Sequence, residues 1–514
     1  MSEKIILILD FGSQYTHLIK STFGKLGIDS IVEPADLKLS TFKRELSNYD
    51  IKGIVLSGGA FSVNQNKILF DKKWLSIGLP ILGICYGHQL LAQVFGGIVK
   101  KTDGEYGNET IVCNTLIPLF SGIKPKSTTW MSHADSVVKL PRSFSSIAST
   151  KDYKNAGIYN KKKNIYGLQF HPEVTHTSEG VKILENFAIK ICGVSKSKIW
   201  TPQSFLKETF VKYIPVIKKH GVVLALSGGV DSSTLAVTLR SFLPKKQLLA
   251  VYIDSGLGPK HVRDQVREFC KRFDIKLEIK DASSQFFSSL KGITNPKQKR
   301  LVIGRVFIKE FEKIASRVNA EIFAQGTIWS DVIESGITKY SSTIKLHHNV
   351  GGLPKRMKFR LIEPFRELFK DQVRDLASFL KLPDSIVKKQ VFPGPGFAIR
   401  IEGEVIRKKV EIVRKSTEII DEIMAKKGLK KENTMAFVVY INATSSGIKG
   451  DHRFKNNYAL VIRVVETTNL LTANFSKKVF PYLEEISTRI IKETGTGKVL
   501  YDITNKPPST IDWQ

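Results

Sequence analysis

The feature that constrains this chain most is an alternation. Strand-length apolar runs closed by Asp, Gly or Pro take turns with amphipathic stretches through residues 1–191. The runs are Ile5–Leu9, Ile28–Val32, Ile51–Leu56 and Pro80–Ile84, while Gln89–Phe95 and Gly180–Ile191 carry helical spacing. Parallel strands need a crossover, usually a helix, between each pair, so this order predicts a parallel α/β sheet. Ser195–Gln203 then breaks the pattern with Ser, Lys and Pro and reads as a linker.

The alternation resumes at Val222–Leu226, Leu248–Ile253 and Glu321–Ala324, with helical stretches at His261–Phe273 and Arg305–Val318. It ends at Phe392-Pro393-Gly394-Pro395-Gly396, where prolines at alternate positions forbid a continued helix or ladder. Beyond lie a helix at Glu404–Lys426, strands at Ala436–Ile441 and Tyr458–Val465, a helix at Phe475–Glu493 and a strand at Val499–Ile503. The 514 residues thus divide into two parallel-sheet α/β domains, 1–194 and 204–390, joined by the linker 195–203. A smaller α+β domain, 391–514, follows them.

Composition narrows the function classes. The net charge is +31 and the isoelectric point near 9.7, a balance that suits nucleic acid or polyanionic substrates. The lysines, however, spread over every segment in short clusters such as Lys161-Lys162-Lys163, which reads as a solvated surface and not a nucleic-acid footprint. The four cysteines, at 85, 113, 192 and 270, exclude a disulfide framework, and none forms a Cys-x-x-Cys pair for zinc. No apolar run reaches the roughly 18 residues of a membrane span, and the opening Met1–Asp10 is a strand pattern lacking the core of a signal peptide. A cytoplasmic protein with no membrane partner is expected.

One constellation carries nucleophilic chemistry. Gly83-Ile84-Cys85-Tyr86-Gly87 stands between an apolar strand and a helix, a nucleophile elbow with Cys in place of Ser. The helix N-terminus there favours a thiolate. A lone cysteine at a strand end would be read as packing; the paired glycines reverse that. A thiolate needs a base, and two are available: His171, in Phe170-His171-Pro172-Glu173, and His133, in Ser132-His133-Ala134-Asp135. Ser57-Gly58-Gly59 supplies a backbone N–H for an oxyanion, which makes acyl transfer the chemistry these residues fit.

On these residues, positions 1–192 resemble the class I, triad-type glutamine amidotransferases. The opening Asp10-Phe11-Gly12-Ser13-Gln14-Tyr15 is similar to the GMP synthetase branch of that family. The resemblance implies that Cys85 attacks the glutamine amide, His171 moves the proton and Glu173 orients His171. It also implies an oxyanion held by the N–H groups of Gly59 and Tyr86, with Gln89, His133 and Asp135 on the substrate glutamine. Where the family has Ser-Gly-Gly-Pro, position 60 here is Ala.

A second constellation binds phosphate. Ser227-Gly228-Gly229-Val230-Asp231-Ser232-Ser233 follows a strand and opens a helix, so that freed N–H groups and hydroxyls face a polyphosphate. No GxxxxGK[ST] stretch is present, which excludes a P-loop kinase or GTPase. Asp231 suits magnesium once phosphate arrives. The loop resembles that of the ATP pyrophosphatases. Further along, Gln325-Gly326-Thr327, Asp331–Ser335, His347–Pro354, Pro393–Gly396 and Lys506–Trp513 resemble the GMP synthetase family in order and spacing.

That resemblance covers essentially the whole chain and implies a glutamine-hydrolysing ligase. Ammonia from glutamine would displace AMP from adenylated xanthosine monophosphate, with ATP and Mg²⁺ required. It assigns Lys345 to a lid over ATP, and Arg305, Pro393, Gly394, Gly396, Lys506, Ile511 and Asp512 to the nucleotide substrate. It further implies a homodimer formed through the C-terminal domain. Two departures stand out: Ile253–Pro259 lacks the family's arginine, and Asp512 replaces a glutamate. A tRNA-modifying ATP pyrophosphatase is the rival reading, but such an enzyme has no use for a Cys-His-Glu glutaminase, and no RNA-binding module is visible.

Overall fold

The computed structural model describes residues 3–45, 48–65, 70–196, 200–217, 220–318, 320–329, 331, 360–431, 434–449, 452–467, 472–506 and 508–513. The described residues up to Thr201 form one compact unit and those from Pro202 onward a second. No helix among them is long and apolar enough to cross a membrane.

The first unit is built on a nine-stranded sheet. Its strands are β1 (Glu3–Phe11), β2 (Ser30–Pro34), β3 (Tyr49–Gly59), β4 (Ile81–Ile84), β5 (Ile98–Cys113), β6 (Lys126–Lys139), β7 (Ser145–Ser149), β8 (Gly157–Asn160) and β9 (Ile165–Leu168). They lie in the order β2-β1-β3-β4-β9-β8-β7-β5-β6. The half from β2 to β9 is parallel, as the apolar runs predict. From β9 to β6 every pairing is antiparallel. Helices α1 (Thr16–Lys25), α2 (Leu39–Glu45), α3 (Tyr86–Val94) and α4 (Gly180–Glu185) accompany the sheet, and α4 runs on as a π-helical turn, Asn186–Ile191. Two apolar layers enclose the parallel strands, one holding Ile6, Val55 and Leu82 and the other Leu7, Ile54 and Ile81. Successive side chains of a strand face opposite sides, so both faces are buried.

The second unit opens with α5 (Pro202–Ile217), β10 (Gly221–Ala225), α6 (Val230–Arg240), β11 (Leu248–Asp254), α7 (Val262–Arg272) and β12 (Lys276–Asp281). It continues with α8 (Ser283–Ser289), α9 (Pro296–Arg317), β13 (Ala320–Ala324), β14 (Arg360–Ile362) and α10 (Lys370–Phe379). The five strands make a wholly parallel sheet in the order β12-β11-β10-β13-β14. After α11 (Asp384–Val387) and α12 (Arg407–Lys426) come β15 (Thr434–Ile441), β16 (Ser445–Lys449), β17 (His452–Asn456), β18 (Ala459–Glu466), β19 (Asn474–Phe475), α13 (Leu483–Thr494) and β20 (Val499–Tyr501). Strand β18 is the hub of the second sheet, pairing with β15, β19 and β20, while β16 and β17 form a separate hairpin. One continuous core joins Val223, Val251 and Phe323 of the parallel sheet to Ile419, Val438 and Ile462 of the C-terminal part. The helix expected at Phe475–Glu493 is α only from Leu483, because Pro481 keeps the preceding turn, Lys477–Tyr482, in 3₁₀ form.

Candidate active sites

In the first unit the crossing of β4 into α3 sets Cys85, the expected nucleophile. Cys85 sits between them at φ 49° and ψ −99°, a conformation costing about 1–3 kcal/mol for a residue with a Cβ. Two glycines make the turn feasible. A Cβ on Gly83 would stand 2.5 Å from the Gly87 carbonyl, and one on Gly87 would stand 2.4 Å from the Leu56 carbonyl oxygen. The Cys85 backbone N–H donates to Leu168 O at 2.7 Å, tying the elbow to the end of β9.

The chain leaving β9 brings the base. The N–H of His171 donates to Trp130 O at 3.1 Å, and Thr177 Oγ1 donates to His171 O at 2.6 Å. His171 Nδ1 lies 2.7 Å from Glu173 Oε1, which leaves the other ring nitrogen clear of Glu173, and the Cys85 sulfur acts electrostatically on the same ring. Burial alone would depress the His171 pKa. The Glu173 carboxylate and the Cys85 sulfur outweigh it and raise it, which favours the protonated ring. Tyr15 stands edge-on to the ring at 4.8 Å, and Gly58 backs onto it. His133, the rival base, has both nitrogens engaged elsewhere: Nδ1 is 3.0 Å from Asp135 O and Nε2 3.4 Å from Glu105 Oε2. Gly59 and Tyr86 come together, the Tyr86 ring lying 3.1 Å from where a Gly59 Cβ would stand. Gln89 reaches Asp135 O at 2.8 Å. The other three cysteines are buried thiols with pKa values pushed up, Cys113 and Cys270 to about 12.

In the second unit β10 runs into α6 through the phosphate loop. Gly228 turns the chain at φ 74° and Gly229 caps the helix. Ser232 Oγ receives the Ser227 N–H at 3.1 Å and donates to Gly229 O at 3.2 Å, which braces the loop from inside. Gly326 packs on the start of α6, where a Cβ would stand 3.1 Å from Asp231 and Ser232 backbone atoms. Two lysines that carry no sequence motif complete the loop. Lys370, at the start of α10, bonds both Asp231 carboxylate oxygens at 2.9 and 2.6 Å. Lys389 reaches Gly228 O at 3.0 Å. No cluster of three metal-ligating side chains exists among the described residues. The donor set here, a single part-exposed carboxylate beside serine hydroxyls, fits magnesium completed by phosphate oxygens and water.

Of the residues expected at the nucleotide substrate, Pro393, Gly394 and Gly396 lie in the 392–400 turn and Asp512 meets its Arg400. Gly396, at φ 64°, lies so close to Leu257 that a Cβ would stand 2.3 Å from its carbonyl oxygen, and Phe397 N–H donates to that oxygen at 2.8 Å. Pro393 and Gly394 lead into this contact, with Gly394 exposed. Arg400 stacks on Phe437 and places Nε 3.3 Å from Asp512 Oδ1. Arg300, on α9, adds a second positive charge toward Asp512, and Arg305 is exposed one and a half turns further along that helix. The C-terminal segment is held by the fully buried Arg463, which donates to Ile511 O, Thr504 O and Thr510 O and pairs with Asp502. Lys506 is anchored by paired backbone bonds with Ala473. In the 253–259 loop that lacks the family's arginine, Arg414 of α12 donates to Gly256 O at 2.6 Å and Gly258 O at 2.9 Å. Lys345 lies outside the described residues.

Three family profiles match successive stretches of the chain: class-I glutamine amidotransferase over residues 7–191, PP-loop domain over 202–383 and GMP synthase C-terminal domain over 422–513. Among curated relatives, a glutamine-hydrolysing GMP synthase of Caldanaerobacter subterraneus subsp. tengcongensis is 42% identical over 100% of both chains. Another, from a Nitratiruptor species, is 44% identical, again over 100% of both. Among solved structures, a putative GMP synthase subunit from Thermoplasma acidophilum is 34% identical, covers 38% of this chain and 95% of its own, and has a TM-score of 0.33.

Proposed function

Because the chain belongs to the glutamine-hydrolysing GMP synthase family, we propose residue roles for its two half-reactions. Glutamine hydrolysis supplies ammonia, ATP adenylates xanthosine monophosphate, and ammonia displaces AMP to give GMP, with pyrophosphate released. We assign the first half-reaction to residues 1–194, adenylation to 204–390, and nucleotide binding with dimer formation to 391–514. The observation that carries the first assignment is the His171 ring set between Glu173 and Cys85.

Cys85 Sγ attacks the amide carbon of glutamine, and the oxygen that takes up the electron pair is held by the N–H groups of Gly59 and Tyr86. Protonated His171 gives its proton to the departing nitrogen, so ammonia leaves and a thioester remains. Water then attacks the thioester, with neutral His171 accepting its proton, and glutamate is released. Glu173 stabilises the imidazolium in both stages. Gln89, His133 and Asp135 shape the wall around the substrate.

In the second half-reaction the loop 227–233 cradles the triphosphate through its N–H groups and serine hydroxyls. The C2 oxygen of xanthosine monophosphate attacks the α-phosphorus and pyrophosphate departs; ammonia adds at C2 and AMP leaves. Asp231 is the residue that would hold Mg²⁺, which when bound neutralises phosphate charge. Lys370, paired with Asp231, would be the cation available to face phosphate. Arg305, Pro393, Gly394, Gly396, Lys506, Ile511 and Asp512 contact the nucleotide substrate, and Lys345 closes over ATP. The four free, buried cysteines suit a reducing cytoplasm, and the homodimer rests on the resemblance alone.

The test is Cys85→Ala. The variant should make GMP from ammonia at the wild-type rate and none detectable from glutamine, since losing a triad nucleophile removes on the order of 10⁶ in kcat. Retained glutamine-dependent synthesis would take Cys85 out of the mechanism.

A further inference from the structure

Gln169 is buried at the end of β9, two residues before His171, and lies outside the triad and the oxyanion donors. Its backbone is fixed by an N–H bond to Ala156 O at 2.8 Å. Its side chain forms a chain of directed bonds: Nε2 lies 3.7 Å from Cys85 Sγ, and Oε1 lies 3.2 Å from Gln89 Nε2. Gln89 Nε2 also lies 2.8 Å from Asp135 O. A backbone carbonyl can only accept, so the Gln89 NH₂ must face Asp135. Its remaining N–H then points at Gln169, which turns the Gln169 oxygen toward Gln89 and the Gln169 NH₂ toward the sulfur. The direction of the whole chain is thus set by one main-chain carbonyl. On the other side of the sulfur, Ser132 O lies 3.7 Å away and can accept only from the neutral thiol.

We propose that Gln169 is a further catalytic residue of the glutaminase: its amide N–H donates to Cys85 Sγ, favours the thiolate over the thiol and aims it at the substrate carbonyl. A hydrogen bond to the charged form of a group favours that form, and one to an anion is stronger than one between neutral groups. Because the donor's partner is Gln89, the residue placed at the substrate wall, occupation of that wall and ionisation of the nucleophile are linked through Gln169. The inference rests on the assignment of Cys85 as nucleophile.

The other charged or titratable groups toward Cys85 are His171 backed by Glu173 on the segment after β9, Tyr15 before α1, and His133 beside Ser132 on β6. All are retained in variants at 169, so a change between variant and wild type reports on the amide. The experiment is the pH profile of Cys85 alkylation by iodoacetamide in the full-length enzyme, with alkylated sites counted by mass spectrometry. Gln169→Met keeps the size and removes the donor; its midpoint should move up by about one pH unit, with kcat/KM for glutamine about tenfold lower or more. Gln169→Glu puts a carboxylate beside the sulfur and should move the midpoint further. Ammonia-dependent synthesis reports that the rest of the chain is folded. If Met opens the core, seen as alkylation of Cys113 or Cys192, Gln169→Leu, which also removes the donor and adds no charge, carries the comparison. Lower glutamine turnover with an unmoved midpoint in a folded variant overturns the proposal, since packing alone would then explain the loss. Wild-type enzyme that keeps glutamine-dependent synthesis after complete alkylation of Cys85 would instead overturn the nucleophile assignment.

Discussion

Replacing Glu173 by Gln tests the triad with almost no change of shape. Glu173 Oε1 holds His171 Nδ1 at 2.7 Å, while Oε2 is buried with no hydrogen-bond partner among the described residues. A glutamine can sit there in two ways. With its oxygen on Nδ1–H, the productive tautomer survives, but the NH₂ takes the buried place of Oε2, and left there without an acceptor it costs about 1–3 kcal/mol. With its NH₂ on Nδ1 that cost vanishes, but the ring proton is forced onto the nitrogen facing Cys85, and neutral His171 can no longer act as base. The second pose is favoured, leaving roughly 1–15% of molecules competent if 1.4 kcal/mol is a factor of ten. Loss of the carboxylate also lets burial act with less opposition on His171, so its titration falls well below about 10. Together these predict a 10²–10⁴-fold lower kcat with glutamine, comparable in size to orienting-carboxylate losses in other triads. The wild-type proton on His171 also stabilises the fold below about pH 6.5, a contribution that fades as pH rises toward 10 and should shrink in the variant. The assays are glutamine- and ammonia-dependent synthesis, the alkylation profile of Cys85, and urea unfolding at pH 6 and pH 9. Glutamine turnover within fivefold of wild type, with the alkylation profile unmoved, would refute the reasoning.

Asp231→Ala should abolish GMP formation from either nitrogen source while basal glutaminase activity survives; loss of that basal activity in a folded protein would mean the two chemistries are not separable. Arg463→Met should cost about 3 kcal/mol, because it removes the buried donor to three carbonyls and the cationic partner of Asp502, which keeps only the Thr504 and Trp513 N–H groups, and should weaken binding of xanthosine monophosphate through the loosened 502–512 segment. A change below 1 kcal/mol in denaturant unfolding would contradict it. The net charge of +31 should confer no specific RNA affinity, so tRNA at physiological salt should bind no tighter than the roughly 10⁻⁴–10⁻⁶ M of non-specific contacts.

The parts legible in the sequence were those with a local signature. Continuous apolar runs announced the parallel halves of both sheets, and glycine spacing around Cys85 and Asp231 announced two strand-to-helix turns. Strand β5 had no such signature. It is exposed on alternate residues and broken by Gly104 and Gly107 at positive φ, so its sixteen residues show neither an apolar run nor a clean alternation. The antiparallel half of the first sheet was therefore invisible. Lys370 was missed for a different reason: it meets Asp231 from 139 positions away, and a lysine opening a helix looks like any solvated charge. Arg463 and Arg400 are ordinary strand and turn residues until the chain folds the 510–512 segment against them. Gln169 had a faint signal, a polar residue just after a fully buried strand and two before the expected base His171, and burial was needed to give it meaning.

The two sites use one construction for opposite purposes. Cys85 and Asp231 both stand where a parallel strand ends and a helix begins, so free N–H groups and the positive end of a helix dipole face the chemistry in each case. In the role proposed for Cys85 the negative charge belongs to the protein, as the thiolate that would attack a neutral amide. That side chain is buried, and its surroundings are polar groups with fixed direction: the Gln169 amide, the His171 ring and the Ser132 carbonyl. At the phosphate loop the charge arrives with the substrate, and a polyanion must be able to enter and its pyrophosphate to leave. There the loop is open enough that Asp231 and Lys370, which pair with one another, each keep about a quarter of their side-chain surface exposed. Burial, more than residue type, thus separates a turn that makes a nucleophile from a turn that holds a nucleotide.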